Sequence, residues 1–240
     1  EELEALNKNK TWTLVDRPQG VKPIKNKWVF KIKLTPTGEI ERYKARLVAK
    51  GFTQIQNIDY KETYAPVAGM NVVRVFLAIV NRHQMKIIQF DIKTAFLYGD
   101  LEETIYMEYP TGYPNPDNKV CRLTKSLYGL KQAPRNWNAK FNEFLEKFNL
   151  IRSENDKCLY YTQDKSLLLV IYVDDALVAS RNEHLMRALI KHLENNFQLK
   201  TMECKMFLGI EVDHDLDNRQ ITLTQSNYIS KVLERFNMQD

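Results

Sequence analysis

Three aspartates interrupt apolar segments of strand-like composition. Asp174 and Asp175 lie within the apolar run Leu167–Val178, and Asp91 directly follows Ile87–Phe90. An ionised carboxylate in such a run is costly unless a cation neutralises it. If the two segments are neighbouring strands, the three carboxylates converge on one edge of a sheet, where hard oxygen ligands suit Mg²⁺ and phosphoryl transfer. The competing interpretation is a two-residue hairpin turn made by Asp174 and Asp175, because short polar turns often contain Asp.

A predicted hairpin supplies positive charge. Lys31 and Lys33 are two residues apart and therefore share one face of a strand, and Lys44 and Arg46 share a face of the returning strand by the same rule. The segment 35–39 contains Pro and Gly and predicts the turn between them. The four cations could grip a triphosphate. An ordinary exposed hairpin with a basic edge is the alternative.

The charge of the chain is unevenly distributed. The net charge is +5, yet residues 17–50 contain ten Lys or Arg against two Glu, and residues 119–147 contain seven against two Glu. The rest of the chain is consequently acidic. Two basic regions and an acidic remainder favour a polyanion-binding surface beside a carboxylate-bearing centre. A solvated basic face remains the alternative.

Composition excludes several other classes of protein. Cys121, Cys158 and Cys204 are far apart, so neither a disulfide framework nor a zinc site is predicted, and buried reduced thiols are expected. No run approaches the roughly 20 apolar residues of a membrane span, so no membrane partner is expected. The segment 213–224 has Asn and Thr where a calcium loop has Gly and Glu, which argues against one. The absence of an initiator Met at Glu1 suggests a segment of a longer polypeptide.

Hydrophobic periodicity predicts a mixture of strands and helices. Because tight turns join successive strands, we expect an α+β fold with an antiparallel sheet. The predicted strands are 28–34, 40–49, 85–90 (ending at Asp91), 159–162, two arms within 167–180, and a hairpin of 207–212 with 220–223. The predicted helices are 1–9, a mostly buried 72–82, 134–148, 183–196 with Asn182 as its cap, and 226–236.

Several motifs occur in the order of one known family. Tyr172-Val173-Asp174-Asp175 resembles the reverse-transcriptase signature, and Gln89–Leu97 resembles the first catalytic-aspartate motif of copia-type retrotransposon polymerases. Two further segments, Arg42–Phe52 and Tyr128–Arg135, are similar to that subfamily, and Phe207–Val212 resembles its primer-grip hairpin. The chain therefore resembles the reverse transcriptase of copia-type LTR retrotransposons (Pseudoviridae), over nearly its whole length.

The resemblance implies a right-hand polymerase fold, with fingers and a palm whose antiparallel sheet packs on helices. It divides the chain into fingers (1–66), palm (67–98), fingers (99–132), palm with the primer-grip hairpin (133–214) and the start of a thumb (215–240). It implies an RNA-directed DNA polymerase that extends a DNA or tRNA primer on an RNA template with deoxynucleoside triphosphates. The remaining pol polyprotein, including ribonuclease H and integrase, is the implied partner, in a cytoplasmic virus-like particle with a nuclear stage.

The resemblance also assigns roles to residues. The implied catalytic residues are Asp91, Asp174 and Asp175. They would bind two Mg²⁺ ions, for which Mn²⁺ can substitute, with Asp91 and Asp174 as the main ligands, Asp175 assisting and the Ile92 backbone as a further ligand. Phe96, five residues after Asp91, matches the gate that excludes a ribose 2′-hydroxyl. The implied nucleotide-binding residues are Lys31, Lys33, Lys44, Arg46, Phe96 and Tyr128, and the implied template or primer contacts are Lys131, Gln132, Ala133, Pro134 and Gly209. A lysine that protonates pyrophosphate falls near Lys200 or Lys205.

Other functional classes remain open at this point. A domesticated element could retain the fold only as a nucleic-acid-binding module. An intron-encoded or telomerase-like polymerase would share the acids but not the Tyr-Gly-Leu-Lys-Gln-Ala-Pro context of residues 128–134. A phosphodiesterase or a calcium-binding protein explains neither the gate nor the basic hairpin. The polymerase is the hypothesis that accounts for all of these features.

Overall fold

A computed structural model describes residues 1–34, 39–115 and 117–239 of the chain. Residues 35–38 of the predicted turn 35–39 lie outside the described residues. The strands are β1 (Trp12–Val15), β2 (Asn26–Leu34), β3 (Ile40–Ala49), β4 (Lys86–Ile92), β5 (Asp100–Glu108), β6 (Val120–Lys125), β7 (Ile151–Arg152), β8 (Leu159–Tyr161), β9 (Leu167–Tyr172), β10 (Asp175–Ser180), β11 (Leu199–Met202), β12 (Met206–Phe207), β13 (Ile210–Asp215) and β14 (Gln220–Thr224). The helices are α1 (Glu2–Lys8), α2 (Met70–Arg82), α3 (Ala133–Lys147), α4 (Glu183–Glu194) and α5 (Ser226–Arg235).

The predicted α+β class with antiparallel sheets is confirmed. The chain forms two compact units, one made of residues 1–66 and 94–144, the other of residues 67–93 and the part from 145 onward. The chain passes from one unit to the other after residues 66, 93 and 144, so most of α3 belongs to the first unit. The names fingers and palm stay predictions.

The first unit contains a three-stranded sheet of order β1-β6-β5 and the separate hairpin β2-β3. The buried apolar residues of this unit belong to α1, β3, the three-stranded sheet and the loop before α3. One hydrophobic core therefore joins these elements. The buried residues of this cluster include Leu6, Leu47, Leu97, Ile105, Met107, Leu123, Leu127 and Ala133.

The second unit is built on a six-stranded antiparallel sheet of order β11-β4-β10-β9-β8-β7. From Leu167 to Ile171 every residue of β9 is buried, as its uninterrupted apolar sequence requires. Helix α4 packs on β10 and α2 packs on β9. The predicted cap of α4 is confirmed, since the side chain of Asn182 accepts a hydrogen bond of 3.1 Å from the Leu185 N–H. A small sheet, β12-β13-β14, and α5 complete this unit.

The structure corrects three details of the predicted elements. Strand β4 continues through Asp91 to Ile92, because its pairing with β10 and β11 extends to those residues. Helix α2 buries one face rather than most of its surface, and Val75 is 55% exposed. The predicted strand 207–212 is two strands, since a turn at Leu208 and Gly209 separates β12 from β13.

The helices and the cysteines bear on two expectations that came from the composition. None of the helices within the described ranges is long and apolar enough to cross a membrane. The three cysteines are free and buried, as expected. Burial raises the pKa of Cys121 and Cys158 to about 12 and that of Cys204 to about 11, so none is a reactive thiolate at neutral pH.

Candidate active site

The turn between β9 and β10 carries the Asp-Asp pair in a strained backbone. Tyr172 pairs with Asp175, so the two turn residues are Val173 and Asp174. The competing interpretation, a turn made by Asp174 and Asp175, is therefore displaced by one residue. Val173 has a φ of +59°, which is the first position of a type II′ turn and is normally occupied by Gly. A β-branched residue in this conformation costs about 1–3 kcal/mol, and such strain clusters at functional sites.

Three charged residues stand in one row across the sheet of the second unit. Asp175 of β10 lies directly opposite Asp91 of β4, and Asp91 lies directly opposite Lys200 of β11. Directly opposed residues share a face, with Cβ atoms about 4.5–5.5 Å apart. The predicted neighbourhood of the two acidic strands is therefore confirmed, and Lys200 is the lysine that the register places beside Asp91.

Backbone hydrogen bonds close this end of the sheet. The Ile92 N–H donates to the Asp174 carbonyl at 2.8 Å, and the Lys93 N–H donates to the Gln198 carbonyl at 2.9 Å. The first bond ties the turn that contains Asp174 to the strand that contains Asp91. Backbone hydrogen bonds consequently fix the positions of the three aspartates relative to one another, independently of what their side chains bind.

The acids suit a hard divalent cation without forming a complete cage. Asp91, Asp174 and Asp175 are each half-buried. Within residues 1–34, 39–115 and 117–239, no group of three or more His, Cys, Asp or Glu side chains stands in metal-binding geometry. Asp91 and Asp175 occupy directly opposed positions on one face of the sheet. Mg²⁺ keeps water and phosphate oxygens among its ligands and does not require an all-protein cage, so this donor set fits it.

In the first unit, three of the predicted nucleotide-binding residues are in contact. The Arg46 guanidinium lies over the Tyr128 ring, 4.9 Å from its centroid, and the Phe96 ring meets Tyr128 edge to face at 5.0 Å. Phe96 belongs to a 3₁₀ turn, Ala95–Tyr98, that follows Thr94 in a left-handed conformation with a φ of +54°. All three side chains are half-buried. The cluster therefore presents an aromatic surface beside a fixed positive charge.

The predicted basic residues share one face of the β2-β3 hairpin. Lys31 pairs with Lys44, and Arg46 pairs with Val29 on the same face. Lys33 also points to this face and pairs with Arg42, which the sequence reasoning missed. The signal was available, because Arg42 continues the alternation of Lys44 and Arg46 by two residues. Five cations therefore line this hairpin face.

An acidic residue missed by sequence reasoning lies beside these cations. The Glu2 carboxylate accepts a hydrogen bond of 3.1 Å from the Leu47 N–H. Burial raises the pKa of the Glu2 carboxyl, although the Leu47 N–H and the charges of Arg46 and Lys44 act in the opposite direction. Helix α1 therefore contributes a negative charge to the environment of the basic face.

The structure gives Gly129 a different role from the one predicted. By residue type alone, Gly129 and Ala133 predict that a nucleic acid or nucleotide can approach the backbone closely. Instead the backbone of β3 approaches Gly129, whose φ is +90°, and an added Cβ would lie 2.1 Å from the Ala49 carbonyl oxygen. Ala133 is 1% exposed and packs in the core of the first unit. Both small residues serve internal packing.

The predicted template contacts divide into buried and accessible side chains. Gln132 is 1% exposed, and its amide is bonded within the protein, so direct template contact by this side chain or by Ala133 is not what the structure shows. Pro134 is half-buried in the first turn of α3. The Lys131 ammonium donates to the Tyr60 hydroxyl at 3.2 Å and is also half-buried. Lys131 and Pro134 remain accessible candidates.

Gly209 occupies an open turn in the second unit. Leu208 and Gly209 have φ values of +52° and +78° and connect Phe207 to its partner Ile210. Two positive φ values identify a type I′ hairpin turn, in which Gly is favoured. No atom lies within 4 Å of a Cβ built on Gly209. This turn therefore has open space around Gly209, and its contact with a primer stays a prediction.

Comparison with known proteins identifies one family over almost the entire chain. Residues 9–240 match the family model described as reverse transcriptase (RNA-dependent DNA polymerase). The chain is 42% identical over 246 residues to the retrovirus-related Pol polyprotein from transposon TNT 1-94 of Nicotiana tabacum, with 100% of this chain and 18% of that protein covered.

More distant relatives carry related names. The identity is 37% over 243 residues with the Pol polyprotein from transposon RE1 of Arabidopsis thaliana, covering 99% of this chain and 16% of that protein. It is 27% over 249 residues with the transposon Ty1-NL2 Gag-Pol polyprotein of Saccharomyces cerevisiae, covering 98% and 13%. The chain thus spans less than a fifth of the length of each of these three relatives. Together with the Asp91–Asp175 register, these matches establish that the chain belongs to the reverse transcriptase (RNA-dependent DNA polymerase) family, in its copia-type transposon group.

Proposed function

We propose that this chain is the catalytic core of an RNA-directed DNA polymerase that copies retrotransposon RNA into DNA. The reaction adds deoxynucleotides to a primer 3′-hydroxyl and releases pyrophosphate. The observation that carries the proposal is the direct pairing of Asp175 with Asp91 at a sheet end whose turn holds Val173 at a φ of +59°. A strained turn beside paired carboxylates is difficult to explain by folding alone.

The acidic end of the second unit is the proposed metal site. Asp91, Asp174, Asp175 and the Ile92 carbonyl would hold two Mg²⁺ ions, for which Mn²⁺ substitutes. Bound there, the ions would lower the pKa of the primer hydroxyl and stabilise the leaving pyrophosphate. Lys200 stands on the other side of Asp91 in the register, and its ammonium is the candidate proton donor for pyrophosphate.

The first unit is the proposed nucleotide-binding part. Arg46 can bind phosphate oxygens through two parallel hydrogen bonds, whereas Lys31, Lys33 and Lys44 act as point charges. The Phe96 ring would occupy the volume that a ribose 2′-hydroxyl needs. Its edge-to-face contact with Tyr128 restrains the ring, which supports a preference for deoxynucleotides.

The proposal also includes a right-hand polymerase fold and the binding partners of the chain. The first unit would be the fingers, and the second the palm of a right-hand polymerase with the start of a thumb from residue 215. Lys131 and Pro134 would contact the RNA template, and the Gly209 turn would contact a DNA or tRNA primer. Ribonuclease H and integrase would be joined to the chain in one polyprotein, acting in a cytoplasmic virus-like particle with a nuclear stage.

Primer extension tests this proposal. The chain, the Asp175→Asn variant and the Asp217→Asn variant are compared on a primed RNA template with deoxynucleotides and Mg²⁺. Asp217 is an exposed acid of the β13–β14 turn and serves as the matched control. We expect extension by the chain and the control and none by Asp175→Asn. Equal extension by all three proteins would reject the assignment of Asp175, and template binding without extension by any of them would favour a nucleic-acid-binding module.

A further inference from the structure

Helix α5 depends on polar contacts at its first turn for its orientation. All ten of its residues are exposed or half-buried, among them Tyr228 at 61% and Ile229 at 54%. Its N-cap residue is Gln225, whose side chain makes no capping hydrogen bond within the described part of the chain. The first N–H groups of a helix have no partner inside the helix. The residue that accepts a hydrogen bond from them therefore decides how α5 leaves the small sheet.

The carboxylate of Glu211 accepts two hydrogen bonds, one from the small sheet and one from α5. Glu211 of β13 pairs with Thr224 of β14, and the Thr224 hydroxyl donates to the Glu211 Oε2 at 2.6 Å. The Asn227 N–H, in the first turn of α5, donates to the Glu211 Oε1 at 3.0 Å. These bonds, that from Thr224 first, hold the pKa of the Glu211 carboxyl below its ordinary value. A negative charge at this end of a helix also interacts favourably with the helix dipole.

Glu211 also lies next to the turn that contains Gly209. The turn ends at Ile210, and Glu211 is the following residue of β13, where it pairs with Met206 of β12 on one side and Thr224 of β14 on the other. Its backbone therefore belongs to the central strand that carries the turn, while its side chain reaches α5. The Gly209 turn and the first turn of α5 are consequently attached to one residue.

We infer that Glu211 is a positioning residue that fixes α5 against the Gly209 turn, so that the two contact a primed template as one surface. The inference rests on the proposed function, in which this turn contacts the primer and residues from 215 onward begin a thumb. In this assignment Glu211 acts through α5 rather than on the incoming nucleotide. Its loss should therefore weaken the hold on primed template and leave nucleotide selection unchanged.

Asp215 offers a matched control on the same strand. Its carboxylate also accepts one backbone and one side-chain hydrogen bond, from the Asn218 N–H at 2.9 Å and the Asn218 Nδ2 at 2.7 Å. Asp215→Ala therefore removes the same charge and the same number of hydrogen bonds as Glu211→Ala, but at the β13–β14 turn. Glu211→Gln is the conservative comparison. Its amide oxygen can accept from the Asn227 N–H, and its amide nitrogen can donate to the Thr224 hydroxyl.

Nitroxide labels report the position of α5 without catalysis. They are attached at Thr222→Cys in β14 and Arg235→Cys at the end of α5, both exposed, whereas the three native cysteines are buried. Double electron–electron resonance should give one narrow distribution of distances for the labelled chain, for Asp215→Ala and for Glu211→Gln. Glu211→Ala should broaden the distribution. An unchanged distribution in Glu211→Ala, or equal broadening in Asp215→Ala, would overturn the inference.

Dissociation from a primed RNA template provides the functional readout. The preloaded protein is mixed with excess heparin, which captures released chains. For Glu211→Ala we expect the dissociation rate to rise about threefold to tenfold, the range of one net hydrogen bond, and the number of nucleotides added per binding event to fall in proportion. KM for dTTP and the ratio of kcat/KM for dTTP to that for UTP should stay unchanged. Glu211→Gln and Asp215→Ala should dissociate at close to the original rate.

The two measurements separate this inference from the proposed function. If Glu211→Ala dissociates at the original rate and loses only active fraction, while the unmodified chain extends primers, the inference is overturned and the polymerase function stands. If the distance distribution broadens in Glu211→Ala but the unmodified chain does not bind primed template, the fixing of α5 by Glu211 is confirmed and the polymerase function is rejected.

Discussion

Replacing Gly129 by alanine adds one methyl group where the backbone of β3 lies close to Gly129 in the first unit. The new Cβ would lie 2.1 Å from the Ala49 carbonyl oxygen and 2.6 Å from Val48 Cγ1, whereas ordinary contact begins at 3.4 Å. The methyl group therefore pushes β3 and the segment 128–132 apart by more than about 1 Å. That displacement breaks the 2.8 Å hydrogen bond from the Ala49 N–H to the Tyr128 carbonyl.

The expected loss of stability at Gly129 has two separable parts. A left-handed backbone costs an alanine about 1–2 kcal/mol relative to glycine. The steric part adds about 1–3 kcal/mol for overpacking and about 1 kcal/mol for the lost hydrogen bond. Gly112 isolates the first part, because its φ is +88° against +90° at Gly129, yet nothing lies within 4 Å of a Cβ built there. The two alanine variants should consequently differ by about 2 kcal/mol or more.

Thermal unfolding measures this difference directly. For a chain of this length, about 2 kcal/mol corresponds to a Tm difference of about 4–8 °C. Gly129→Ala should melt lower than Gly112→Ala by at least the smaller of these values, and its affinity for dTTP should fall because Tyr128 moves. Equal melting temperatures for the two variants would refute the close approach of β3 to Gly129.

Three further predictions concern selectivity, salt and pH. Phe96→Ala should raise kcat/KM for ribonucleotides by about tenfold or more relative to deoxynucleotides, and an unchanged ratio would remove the gate from the account. Affinity for primed template should fall about two to three decades between 50 and 200 mM salt, and Arg42→Gln should reduce the log–log slope by about 1 if the basic face binds phosphate. Burial opposes ionisation of Asp100, but its ion pairs with Lys125 and Lys140 outweigh that effect and hold its pKa below 3.8. Asp100 therefore adds stability above about pH 4 that is lost as pH falls. As the pH falls below about 4, the Tm of Asp100→Asn should consequently change less than the Tm of the unmodified chain.

Much of the second unit could be predicted because its signals are local. The apolar run of β9 and β10 surrounds a short polar turn, and a tight turn obliges the two strands to pair antiparallel. Asn182 precedes a periodic helix and carries the cap that its residue type predicts. The pairing of β4 with β10 is different, because it joins residues distant in sequence. From the sequence alone, the only indication of this pairing was that three carboxylates in apolar strands need a shared cation to neutralise them, which requires the strands to be neighbours.

The sequence-based predictions were wrong where tertiary contacts override the local conformational or burial preference of a residue. Val173 is a poor residue for a positive φ, so turn chemistry did not indicate its position in the turn. Gly129 was interpreted as an opening for ligand because its neighbour, Ala49 of β3, lies far away in sequence. The resemblance implied a template contact for Gln132, but its side chain is buried. Its amide partners, Gln54 and Asp59, are 78 and 73 residues away, a separation that no local pattern reveals.

The most direct test of the central claim is a double-mutant cycle on the facing aspartates. Single-nucleotide incorporation is measured for Asp91→Asn, Asp175→Asn and the double variant on primed RNA, with folding checked by thermal melting. Because residues that act as one unit are strongly non-additive, each single variant should lose at least about 10³-fold in rate, and the double variant should lose no more than the singles. Near-normal incorporation by either folded single variant, or losses that multiply in the double variant, would contradict a single catalytic site built on the Asp91–Asp175 pair.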